Sequence, residues 1–410
     1  MMAPATKRQA AARSSPPHIN DDVATEILLR LPCAAVLRSR AVCKAWHRIT
    51  TSAAFIAAHA RRRPHELILH RHGPSSSNAL ETIPLLDTLG EATTARRCLH
   101  VQYPEYTRPR PPRGWSGYAM IASCDGLLLF ERHPNGVRDK DFFVCDPVAR
   151  RWAAVPRTPG TFMLPCGFYI HKPSGEHRIL CVTNGQQAGW SHHVCSLEAA
   201  EARRLGPAPL FAPIGYNLPL HHVTLHGKLH WLRSYPPVLL PMDNGRYPGA
   251  EETGKIVAFD TESETFRRIR LPPRRVARYP GAVELFLLQV DGMLAVANFL
   301  NGSMDLWVLA DHDGSDASWT LRLRVDLPSS LRRACWAMNP RMEGQEDVVL
   351  LGDRGRCWVA LYDVMGKRVL KQIQLVPDDP WNHLNVFVFR GSLERHAFFD
   401  LHGPKGLVLQ

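Results

Sequence analysis

Histidines supply the first candidates for chemistry. His222, His226 and His230 recur every four residues and would share one helix face as metal ligands. Gly227-Lys228 between alternating apolar residues is instead the pattern of a β-hairpin, so the spacing predicts strand histidines rather than ligands. His65-Glu66-Leu67-Ile68-Leu69-His70 is one residue too long for H-E-x-x-H, and its apolar centre predicts a strand. The 10 cysteines include no C-x-x-C pair, which leaves a zinc ribbon or redox dithiol without support and predicts free thiols. No P-loop, G-x-G-x-x-G or G-x-S-x-G sequence occurs, and no pair of carboxylates can be assigned to acid–base roles. The expectation is a chain with no catalytic residue, no metal site and no cofactor.

Recognition is the chemistry that remains, and charge and composition bound it. The formal net charge is +12, and residues 1–64 hold 11 Lys/Arg against 3 Asp/Glu. A basic segment attracts nucleic acid, anionic lipid or an acidic protein surface without choosing among them. The apolar neighbourhood from Ala282 to Leu300 is broken by Glu284, Gln289, Asp291 and Asn298, so no membrane span is expected. The first twenty residues carry Lys7, Arg8 and Arg13 without the apolar centre of a secretory leader, which predicts a cytoplasmic or nuclear protein.

The elements that must position any binding surface fall into two parts. Residues 1–72 contain no glycine, and all 28 lie beyond. The first part therefore favours helices, and the second, punctuated by Gly and Pro, favours short strands and turns. Residues 1–17, rich in Ala, Ser and Pro without apolar period, are expected to be disordered. Asn20 can cap a helix opened by Asp21 and Asp22, with Val23, Ile27 and Leu31 recurring on one face, Leu28 beside them, and Pro32 at its end. A second short helix is expected around Ala35–Arg40, a third presenting Val42, Ala45, Trp46 and Ile49, and a fourth around Phe55–His59 before Arg61-Arg62-Arg63-Pro64. So small a core is hard to stabilise alone and predicts a partner's surface.

The order of residues in this module, Ile19-Asn20-Asp21-Asp22-Val23, Glu26 to Pro32, Val36 to Trp46 and Ile49, resembles an F-box, particularly the plant type, over residues 18 to about 60. Asn20 stands where many F-boxes have proline and leaves a good helix cap. The resemblance implies docking to a Skp-type adaptor and, through it, to cullin and RING subunits of a ubiquitin ligase. On that carry-over the adaptor-facing residues are Ile19, Ile27, Leu28, Leu31, Pro32, Leu37, Val42, Cys43 and Trp46.

Residues 65–410 repeat a unit. Cys124-Asp125-Gly126-Leu127-Leu128-Leu129-Phe130 reads as strand, turn and strand, followed by Phe143-Val144-Cys145-Asp146 and Trp152. Further copies centre on Gly227 and Gly292, a partial one ends at Asp363 with Val369, and a weak one lies near Ile179–Val182 and Val194–Leu197. Asp146, Asp260 and Asp363 each precede an apolar or aromatic residue by six, as expected where Asp closes a turn and the next strand buries the large side chain. A period of about 50 residues predicts about six four-stranded blades of a closed β-propeller, with a two-sheet β-sandwich as the alternative. The unit also resembles the F-box-associated and kelch-like propellers that follow plant F-boxes.

The resulting expectation is a small all-α F-box module, 18–62, ahead of a large all-β domain, 65–410, that recruits an unknown protein substrate to a ubiquitin ligase without itself catalysing. Candidate substrate anchors are Trp115, Trp190, Tyr235 and Trp381. The competing reading is a nucleic-acid-binding protein using Arg61–Arg63, the run Arg108 to Arg113 and Arg274-Arg275, disfavoured by the near balance of charge in the β-part. An enzyme on a propeller is the third, since fold does not determine function.

Overall fold

In the computed structural model of the chain, the described residues are 19–72, 80–85, 97–99, 118–132, 140–156, 162–185, 189–199, 202–206, 222–232, 255–273, 284–300, 302–310, 318–332, 334, 336–340, 347–353, 358–375 and 383–402. The chain divides into two units, Met1–Arg63 and Pro64–Gln410.

Among the described residues the first unit holds four helices: α1 (Asp21–Arg30), α2 (Cys33–Ser39), α3 (Lys44–Thr51) and α4 (Ala53–Arg62). Each boundary has a local cause. The Asn20 side chain accepts from the Asp22 amide, Pro32 stops α1, the Cys43 thiol accepts from the Trp46 amide, and Ser52 caps α4 through the Phe55 amide. Ala24, Leu28, Leu29, Cys33, Val36 and Phe55 are the buried apolar residues among those described in this unit.

The second unit consists of six four-stranded antiparallel sheets, a propeller rather than two packed sheets. Blade 1 joins β1 (Glu66–His72), β2 (Leu80–Pro84) and β3 (Arg97–Leu99) to the last strand of the chain. Blade 2 is β4 (Tyr118–Cys124), β5 (Leu127–Arg132), β6 (Asp141–Asp146) and β7 (Arg151–Ala154). Blade 3 is β8 (Phe162–His171), β9 (Glu176–Gly185), β10 (Gly189–Ser196) and β11 (Ala202–Arg204). Blade 4 is β12 (Val223–Leu225), β13 (Lys228–Leu232), β14 (Lys255–Asp260) and β15 (Thr265–Arg270). Blade 5 is β16 (Glu284–Val290), β17 (Met293–Leu300), β18 (Ser303–Leu309) and β19 (Trp319–Asp326). Blade 6 is β20 (Trp336–Met338), β21 (Val348–Asp353), β22 (Trp358–Asp363) and β23 (Arg368–Gln374). The last strand, β24 (His383–Phe389), pairs with β1 from Glu66 opposite Phe389 to His72 opposite His383. The first and last strands of the propeller thus share one sheet, and the ring closes without an open inner edge.

Turn chemistry sets the register. Asp125-Gly126, His226-Gly227 and Asp291-Gly292 all take positive φ at both positions, the two-residue hairpin whose twist matches its strands. Gly126 has a second constraint: a Cβ there would lie 2.7 Å from Ser392 Cβ and 2.9 Å from its amide nitrogen. The turns into β7 and β15 begin at Asp146 and Asp260, whose side chains accept two turn amides each at 2.9–3.0 Å. Asp363 accepts the Gly366 amide at 2.7 Å in the turn into β23. The large residue six places on, Trp152, Phe266 or Val369, stands opposite the residue just before the Asp. Blade 3 carries a longer first turn through Gly175, which is why its copy of the repeat is weak in sequence.

Packing follows from period two. Leu127 and Leu129 face blade 3 while Leu128 and Phe130 face blade 1, so inner strands read as unbroken apolar runs. Six apolar clusters fill the six seams, one between each neighbouring pair of blades. Beyond β24, Phe398 and Phe399 of the short α5 (Phe398–His402) enter the seam between blades 2 and 3. His396 sets its ring 4.8 Å from that of His177, whose burial, with His396 beside it, holds it down to about 3.

Candidate protein-docking site

The outer face of the helical unit is built from α1 upward. Val23 and Ile27 lie four residues apart on the same side of the helix. With Ile19 and Val42 they are the exposed large apolar residues among the described residues of this unit: 49% for Ile19, 53% for Val23, 44% for Ile27 and 64% for Val42. Ala24 and Leu28, one position further round, turn inward and are buried. The helix is therefore apolar on two adjoining stripes, and only one of them is satisfied within the unit.

Polar contacts fix the stripe in place. Arg48 of α3 pairs with Asp21 at 2.5 Å, and Arg62 of α4 holds both oxygens of Glu26 at 3.0 and 3.2 Å. That fork lowers the Glu26 carboxyl below its ordinary range. At the C-terminal end the His59 ring, buried and stacked on Phe55 at 5.8 Å, lies with Nε2 2.9 Å from the Leu31 carbonyl oxygen. Burial lowers the His59 pKa, so the ring is neutral and donates through Nε2. This holds Leu31-Pro32 in the extended conformation that ends α1. Arg40 donates to the Thr50 carbonyl at 3.0 Å, tying the α2–α3 turn that carries Val42 and Cys43.

The adaptor-facing residues implied by the resemblance divide in three. Ile19, Ile27, Pro32, Val42 and Cys43 are exposed, and Leu31, Leu37 and Trp46 are half-buried. Leu28 is fully buried and belongs to the unit's own core, so its contribution is to shape the face rather than to present one. Val42 lies in the turn before α3 rather than on it, because the Cys43 thiol supplies the helix cap one residue later. Val23 joins the face although the motif did not single it out, and its signal was the spacing to Ile27. The His59 and Arg62 supports, 28 and 36 residues from their partners, carried no sequence signal.

Elsewhere the candidates scatter. Trp115, Tyr235, Trp381, Arg108 to Arg113 and Arg274-Arg275 lie outside the described residues, and Trp190 lies on β10 with its side chain outside them. His226 occupies a hairpin turn and His230 is buried on β13 with Nδ1 3.2 Å from the Val223 carbonyl oxygen. No grouping of three His, Cys, Asp or Glu suited to a metal occurs among the described residues. His70 ends up buried on β1, accepting the Met120 amide at 3.3 Å. No described helix is long and apolar enough to cross a membrane.

Comparison with known proteins places family matches on both units. The F-box domain model matches residues 17–56, and the F-box associated beta propeller domain model matches residues 93–334. An F-box protein of Arabidopsis thaliana is 24% identical over 314 residues, covering 71% of this chain and 66% of its own length. F-box protein CPR1 of the same plant is 23% identical over 380 residues, covering 85% of this chain and 82% of that one. An Arabidopsis F-box/kelch-repeat protein is 22% identical over 329 residues, covering 75% and 72%.

Proposed function

Because the chain belongs to the F-box proteins that carry an F-box associated β-propeller, we propose that it is the substrate-recognition subunit of an SCF-type ubiquitin ligase. In this reading Ile19, Val23, Ile27 and Val42, with the half-buried Leu31 and Trp46, dock a Skp-type adaptor, and the propeller holds a protein substrate. Cullin and RING subunits are reached through the adaptor. The receptor supplies proximity, raising the effective concentration of substrate near the charged conjugating enzyme, and takes no covalent part itself. The cytoplasm, the nucleus or both would be its place of action.

The observation that carries the reading is the second, unsatisfied apolar stripe of α1 on a unit with six buried apolar residues. Burying such a stripe against a partner recovers the hydrophobic free energy that the small unit cannot capture alone. The test is pull-down of the whole chain by a purified Skp-type adaptor. Leu31→Ala with Pro32→Ala should weaken capture by about 2–4 kcal/mol, the range of hot-spot truncations. Undiminished capture by the double variant would remove the assignment.

A further inference from the structure

The F-box match ends at residue 56, inside α4, whereas two braces of the docking face come from beyond it, His59 and Arg62. The two are unequal. In the Arg62–Glu26 fork both side chains are about half exposed, at 48% and 52%, where water and salt screen most of the attraction. His59 is 1% exposed, and its Nε2 lies 2.9 Å from the Leu31 carbonyl oxygen, 28 residues back in the chain. Leu31 is where α1 ends, in extended conformation with φ −76° and ψ 146°. Pro32 follows it and has no N–H, and the amides of Ala35 and Val36 bond the Pro32 carbonyl instead, at 2.9 and 3.0 Å. The Leu31 carbonyl thus takes its donor from a distant side chain.

We propose that His59 is a positioning residue for adaptor binding, so that the docking module reaches through α4 to His59, beyond the matched F-box. This inference rests on the adaptor reading. The segment that His59 holds carries the half-buried Leu31 and the exposed Pro32, and it joins the end of α1 to the start of α2 at Cys33. Its conformation therefore sets where these two residues stand relative to Ile27 on the last turns of α1. The imidazole is itself fixed, stacked on Phe55 one turn earlier in α4, with ring centroids 5.8 Å apart and planes 24° apart. Burial lowers its pKa, so the neutral ring carries one N–H, and the carbonyl beside Nε2 selects that nitrogen as the donor. A segment held in its binding conformation in advance costs the partner less ordering on association.

The test is the affinity of the whole chain for a purified Skp-type adaptor, measured by calorimetry on variants that separate the donor from the ring. His59→Phe keeps a ring against Phe55 but has no N–H for the Leu31 carbonyl, and should weaken binding at least ~10-fold. His59→Gln gives up the ring but carries an amide N–H in place of Nε2–H, and should stay within ~3-fold of wild type. A role in packing alone predicts the reverse order. Unchanged binding of His59→Phe, equal losses in the two variants, or a greater loss in His59→Gln would each overturn the inference. Hydrogen exchange of the α1 and α4 amides should leave His59→Phe protected as in wild type. Loss of that protection in both variants would mean that His59 only holds the unit together, and would overturn the positioning role. Failure of the wild-type chain to bind the adaptor would remove the adaptor reading itself, and this inference with it.

Discussion

The two units handle apolar surface in opposite ways. The helical unit leaves Ile19, Val23, Ile27 and Val42 in solvent, whereas among the described residues of the far larger propeller the exposed large apolar side chains are Leu321, Met365 and Leu401. A ring of blades gives every sheet face a neighbour, so each apolar strand position finds a seam. Four short helices have too much surface for their volume to do the same. The comparison teaches that one unit is completed by closure of its own chain, while the other leaves an apolar face that, on the proposed reading, a partner covers.

Breaking the ring should have the largest effect. A chain ending at Pro328 lacks blade 6 and β24, exposing two blade faces and the free side of β1, and should show no cooperative propeller melt by circular dichroism. A cooperative melt like that of the whole chain would contradict ring closure. Next, Leu28→Ala should destabilise the helical unit by about 2–5 kcal/mol through the cavity it leaves. Ile27→Ala, one position away, should leave stability within about 0.5 kcal/mol and show its effect in adaptor capture instead. Hydrogen exchange of α1 and α4 amides separates the two, and similar destabilisation by both would erase the distinction between the stripes. Gly126→Ala should cost the propeller about 1–3 kcal/mol, from the left-handed backbone together with the approach of Ser392. A melting temperature equal to wild type would show that the turn tolerates a side chain.

Acidification should move both units in the same direction by a smaller amount. His59 and His177 are kept neutral by burial, so below their ordinary pKa near 6.5 the unfolded chain takes up protons that the folded chain refuses. Stability is therefore complete above that pH and declines as pH falls, for His177 down to about 3. The decline is at most about 1.4 kcal/mol per pH unit for each such histidine. Denaturant melts across pH 7 to 4 should show a shallower slope for His177→Leu than for wild type, and an unchanged slope would remove His177 as a cause.

Local chemistry was the legible part of this fold. Asn20, Pro32, the Asp-Gly turns and the Asp146, Asp260 and Asp363 turns were readable because each acts on residues within a few places of itself. The choice between the Val23–Ile27 stripe and the Ala24–Leu28 stripe was not readable, because both are apolar and only tertiary packing decides which turns inward. Ring closure of Glu66 against Phe389 and the wedge of Phe398 join residues far apart in sequence, where spacing carries no information. In the candidate docking face Ile19, Ile27 and Val42 stood out in the motif and Val23 only by its spacing to Ile27, while the polar braces from His59 and Arg62 emerged only in three dimensions.

The central claim is that the helical unit is finished by a partner while the propeller finishes itself. Hydrogen–deuterium exchange of the whole chain, with and without a saturating purified Skp-type adaptor, tests it directly. The account predicts new protection across residues 19–46 and none in the inner strands β4, β8 and β16, which should already be protected in the free chain. Protection that appears in the propeller strands and leaves 19–46 unchanged would contradict it.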